Sequence, residues 1–156
     1  MTGISTLTYV VFLAAMALAQ WYLLKASNSS KTVLYAMNGW LLFITAVGMT
    51  GFYTRNETLP PNMVFLVGPP LLLIIGLLLS RSGKAFLDSL DLSTLTWMHI
   101  IRVPIELTLL WLYEADKIPQ LMTFEGRNFD IISGLTAPIV AWNVFKGAVV
   151  DAKMPD

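Results

Sequence analysis

Residues 97–111 read WMHIIRVPIELTLLW, an apolar run broken by a histidine, an arginine, a proline and a glutamate. On a helix at 100° per residue, His99, Arg102 and Glu106 fall within an arc of roughly 60°, and Tyr113 continues the same face. A charged side chain at the centre of a membrane helix costs about 2.5–3.5 kcal/mol on insertion scales. The stripe is therefore expected to face the bundle interior or a wet cavity, never lipid. Arg102 and Glu106 are i,i+4 neighbours able to pair, with His99 one turn to the other side of Arg102.

The rest of the chain makes lipid the natural solvent for this segment. Of its 156 residues, 56% are hydrophobic and 13% charged, with a mean hydropathy of +0.67. Soluble domains carry roughly 25% charged residues, and no single core of this size hides so much apolar surface. A spanning helix needs about 20 apolar residues. The sequence predicts an all-α polytopic transmembrane bundle of five spans, over residues 4–24, 32–53, 62–80, 92–113 and 129–150. Residues 81–91, RSGKAFLDSLD, suit a short interfacial helix. With no repeat, linker or low-complexity tract, residues 1–156 read as one transmembrane domain.

The N-terminal apolar run lacks a basic leader and is too long for a signal core, so it reads as a retained first span. With the N-terminus outside, Lys25, Lys31, Arg81, Lys84, Lys146 and Lys153 lie on the cytoplasmic side, against Arg55, Lys117 and Arg127 outside. The positive-inside bias favours this orientation. Two N-x-S/T triplets, at Asn28 and Asn56, read as chance matches beside the membrane. Net charge is zero, and no basic run points to nucleic acid.

Prolines at 69, 70, 104 and 138 cannot donate to the carbonyl four residues back. In three spans they free carbonyls that need other donors. Ala15 and Ala19, and Gly39, Gly48 and Gly51, permit close helix approach. The loop FEGRNFD, residues 124–130, gathers Glu125, Arg127, Asn128 and Asp130 at the mouth of the fifth span. One reading is a solvated loop in which Asn128 or Asp130 caps the helix. The other is an outer rim that brings Glu125, Arg127 and Asp130 to the stripe.

The absence of cysteine removes thiolate ligands and nucleophiles. One histidine excludes bis-histidine haem within the chain, and a zinc or iron site would need His99 joined by Glu106 or Asp130. No HExxH, P-loop or GxGxxG motif occurs. No metal and no cofactor is expected, while a bound lipid is compatible. Three functions compete for the stripe. The leading expectation is a non-catalytic site, built from His99, Arg102, Glu106, Tyr113, Glu125, Arg127 and Asp130, that binds or passes a small polar or anionic group or a proton. The rival is a structural or accessory subunit of a larger membrane complex or homo-oligomer, with the stripe a packing salt bridge. The third is an intramembrane enzyme on a lipid-like substrate, with Glu106 or His99 as base and Arg102 stabilising negative charge.

The blocks WMHIIRVPIE, LMTFEGRNFD and GLTAPIVA, about a third of the chain, resemble a family of small multi-span inner-membrane proteins of Bacteroidetes-type bacteria. FLVGPPLLLIIGLLLSRSGKAFLDSL is similar but less distinctive. The resemblance implies a bacterial inner membrane and carries no assigned activity. Members of that family often run on past the equivalent of Val150 into further spans, whereas this sequence ends VVDAKMPD. That implies a shorter relative or a missing remainder, and a bundle that needs a partner to close.

Overall fold

In hydrocarbon every backbone N–H and C=O must be satisfied within its own segment, which leaves apolar runs the helix as their solution. The computed structural model describes residues 3–54 and 61–151, with side chains undescribed at 54 and 146–151. Arg55, Asn56 and Lys153 lie outside the described residues. The helices are α1 (Thr6–Ala26), α2 (Lys31–Met49), α3 (Val64–Leu79), α4 (Arg81–Asp88), α5 (Leu92–Met98), α6 (Arg102–Glu114) and α7 (Asp130–Asp151). Among the described residues, three short 3-10 turns, Phe52–Thr54, His99–Ile101 and Gln120–Met122, lie between helices.

Helices α5 and α6, with the 3-10 turn between them, form one apolar rod over Leu92–Glu114. This rod, α1 and α2 are long and apolar enough to cross a membrane. The bent pair α3–α4 makes a fourth candidate if it counts as one span. Over Asp130–Phe145, α7 is apolar but shorter. The all-α architecture and its candidate spans point to a multi-pass membrane protein.

The chain clusters into two compact units, residues 1–26 with 91–156, and residues 27–90. In the first, α1 packs on α5 and α6, and α7 packs on α5, α6 and the turn between them. The chain leaves this unit at Ala26 and returns at Asp91, whose N–H donates to the Ala26 carbonyl at 2.9 Å. Asp91 then caps α5: Oδ1 accepts from Ser93 N at 3.1 Å and Oδ2 from Thr94 N at 3.3 Å, while the Thr94 hydroxyl also donates to Oδ2. The buried apolar residues are Ala15, Ala26, Ile101, Ala115, Ala137 and Ala141. Leu7, Leu13, Leu135 and Ile139 are exposed. A soluble core has the reverse composition. Where lipid tails are as apolar as leucine, helices associate through small residues that let backbones approach.

The second unit contains α2, α3 and α4. Neither α2 nor α3 buries a residue. Asn62 Nδ2 donates to the Phe52 carbonyl at 3.0 Å, and the Phe52 and Phe65 rings lie 6.0 Å apart. Helix α3 runs through Pro69 and Pro70 without ending. It does end at Ser80, where the axis turns by 93° into α4 and the Ser80 hydroxyl caps α4 by accepting from Gly83 N at 3.0 Å. A Cβ at Gly83 would strike the Leu77 backbone, so this corner needs glycine.

Candidate functional site

Pro104 fixes where the rod changes pitch. A proline is tolerated in the first turn of a helix, where its missing N–H has no intrahelical partner to lose. The 3-10 turn His99–Ile101 ends one α-segment and Arg102 begins the next, so Pro104 falls in the first turn of α6. Arg102 thereby sits at the joint, and Glu106 follows one turn later.

Helix α7 meets this joint at Gly134. A Cβ there would lie 2.9 Å from Val103 Cγ2, 3.1 Å from Val103 N and 3.2 Å from Arg102 Cβ. Only glycine lets the two backbones come so near. Asp130, one turn before Gly134 and at the N-terminus of α7, is thereby brought against Arg102. The Arg102 Nη1–Asp130 Oδ2 distance is 2.5 Å. The positive end of the α7 dipole also favours a carboxylate in its first turn. Arg102 Nε donates to His99 Nδ1 at 3.3 Å, so this ring nitrogen acts as an acceptor.

The expected Arg102–Glu106 ion pair is not the one that forms. Helical side chains lean toward the N-terminus, which carries the guanidinium back toward His99 and α7. A base N-terminal to an acid at i,i+4 is also the weaker order on a helix. Glu106 is held elsewhere: its Oε1 accepts from Asn128 Nδ2 at 2.5 Å. The residue is 2% exposed, and Oε2 has no hydrogen-bond partner. The Phe124 backbone N–H also approaches this carboxyl.

The loop that delivers Asn128 is built around Thr123, which is fully buried. Its hydroxyl donates to the Gln120 carbonyl at 2.9 Å. Its own carbonyl accepts from Gly126 N at 2.9 Å and Asn128 N at 3.3 Å. Gly126 lies so close to the backbone of Gln120 and Leu121 that no Cβ fits. Asn128 Nδ2 also donates to the Met122 carbonyl at 3.3 Å, and its Oδ1 accepts from Asp130 N at 3.3 Å. The cap expected of Asn128 is present, and the same side chain also grips Glu106. Sequence reasoning left Asn128 out of the site, because a capping asparagine gives no sign of a second partner.

A cavity of about 360 Å³ opens beside Glu106, bounded by Ala19, Ile101, Arg102, Ile105, Glu106 and Asp130. Burial along the stripe is uneven. Glu106 is enclosed, whereas the side chains of Arg102 and Asp130 are 38% and 55% exposed and His99 is exposed. Burial was expected of all three polar groups. It holds for Glu106 alone, because α7 begins at this level and covers one side of the joint. The structure brings His99, Arg102 and Asp130 into one chain of contacts, with Glu106 on the same cavity. Tyr113, Glu125 and Arg127 do not line that cavity. Among the described residues no group of three His, Asp or Glu side chains could hold a metal ion.

The fold and this centre define a helical, multi-pass class of membrane protein with a polar joint. No family model, curated protein or solved structure matches the chain.

Proposed function

We propose that Glu106 is the exchangeable group of a membrane-embedded site that takes up a proton or a small hydrogen-bond-donating group. The observation that carries this is the enclosed Glu106 carboxyl, whose Oε2 has no hydrogen-bond partner, on a residue that borders a cavity. Buried polar oxygens are almost always bonded, and an exception calls for a ligand, an ion or a proton. An anionic ligand is less well served, because Arg102 is engaged by Asp130.

The supporting topology is five crossings with the N-terminus outside. Helix α7, 22 residues long, measures about 33 Å at 1.5 Å per residue and matches a hydrocarbon core of about 30 Å. The excess of Lys and Arg beside the proposed cytoplasmic ends supports the orientation. The resemblance of three sequence blocks supports a bacterial inner membrane.

The test is infrared difference spectroscopy on the reconstituted protein, paired with proton flux in vesicles. A carboxyl C=O band that titrates with pH, and disappears in Glu106→Gln together with flux, is expected. A wild-type spectrum and flux identical to those of a folded Glu106→Gln variant would overturn the proposal. A second reading, an accessory subunit of a larger complex, is favoured by α2 and α3 burying no residue. It requires a stable stoichiometric partner on gentle solubilisation.

A further inference from the structure

A second pair of cavities lies along the seam of α1 and α6. At the end of the span, a cavity of about 260 Å³ is bounded by Ser5, Leu7, Thr8, Trp111, Glu114 and Ala115. Deeper in, a groove of about 400 Å³ with a wholly apolar wall runs between Thr8, Phe12 and Leu13 of α1 and Ile105, Leu109 and Leu112 of α6. Thr8 is a wall of both, so the two are neighbours. From Ile105 to Leu112 the groove covers about 10 Å of helix.

Ser5 and Glu114 place polar groups among apolar neighbours at the end of the rod, and the wall inward is hydrocarbon, which is the order of groups along a membrane lipid. Trp111 beside the outer cavity suits the interface, where indoles concentrate. Glu114 is the one charged residue among those bounding the outer cavity, so the head it complements is cationic. A carboxylate is best met by a group that also donates hydrogen bonds, which a primary ammonium does and a quaternary one cannot.

We propose that this seam is a binding site for a lipid with a primary-ammonium headgroup, phosphatidylethanolamine in chemical class. The ammonium meets Glu114 and one acyl chain fills the groove against Leu109. The site is independent of Glu106, so failure of one proposal leaves the other standing.

The experiment is native mass spectrometry of the protein with phosphatidylethanolamine, phosphatidylcholine and phosphatidylglycerol of identical acyl chains. Because its ammonium donates hydrogen bonds to the carboxylate, the ethanolamine lipid is expected to bind at least about tenfold more tightly than the choline lipid. Glu114→Gln should remove that preference while leaving chain binding. Leu109→Trp, which fills the groove, should weaken all three lipids. Equal binding of the three headgroups, or a preference for phosphatidylglycerol, overturns the headgroup assignment. An ethanolamine preference that survives Glu114→Gln, or binding undiminished by Leu109→Trp, overturns the seat.

Discussion

Gly134→Ala is the most direct test of how the polar joint is assembled. Inside a helix, alanine is favoured over glycine by about 1 kcal/mol, so with no neighbour the substitution would stabilise α7. Here the new methyl would sit 2.9 Å from Val103 Cγ2 and 3.1 Å from the Val103 nitrogen. Valine is stiff at χ1 and the nitrogen is backbone, so neither neighbour can swing away. Relief requires α7 to back off from α6. Overpacking of this kind costs about 1–3 kcal/mol, which leaves a net loss of about 0–2 kcal/mol. The displacement should also stretch the Arg102–Asp130 pair, whose 2.5 Å separation depends on the same approach. The assay is reversible unfolding in mixed micelles, run as a double-mutant cycle with Asp130→Asn. A coupling of at least about 0.5 kcal/mol is expected, the range found for residues that share a contact. Stabilisation by the full alanine advantage, with no coupling to Asp130, would refute the close approach.

Asn128→Ala should destabilise by about 1–3 kcal/mol in the same assay, because it removes the side-chain hydrogen bond to an enclosed carboxyl. The loss should shrink when Glu106→Gln is already present, and an undiminished loss would locate the effect in the loop instead. Asp91→Ala should cost about 1 kcal/mol as a lost N-cap. Asp91 lies just before the apolar rod. Its carboxyl is held below the usual value of 3.8, first by the Thr94 hydroxyl, then by the Ser93 and Thr94 amides and Lys25, against some opposing desolvation. A depressed folded value means its contribution is complete above the unfolded value and fades as pH falls through the folded one. The gap between wild type and Asp91→Ala should therefore close only below pH 3.8; a gap that closes well above it would contradict the cap.

The helices were legible because the rule behind them is local. Apolar runs placed at 4–24 and 92–113 became Thr6–Ala26 and the rod Leu92–Glu114, with no end displaced by more than two residues. The 3-10 turn at His99–Ile101 was not legible, since Pro104 in a hydrophobic run suits either a kink or a fresh first turn. Helix α7 packs against that turn, a long-range contact that spacing along one segment does not encode.

The partner of Arg102 is the sharper case. Spacing along one helix offered Glu106, and the choice between it and Asp130 was made by a residue on another element. Yet a signal for Asp130 was present in α7. Asp130, Gly134, Ala137 and Ala141 fall within an arc of roughly 60° on one helical face. In lipid, a face of glycine and alanine is the face that meets a neighbour, and Ala137 and Ala141 are indeed buried at 4% and 2% exposure. A carboxylate on such a face cannot point to hydrocarbon, so it has to meet a donor on the facing helix. In this sequence the arginine in an apolar run is Arg102. Two intramembrane stripes, one basic and one acidic on a small-residue face, were each readable alone. Matching them would have moved Asp130 from the rim of the site to its centre, and left Glu106 free for Asn128.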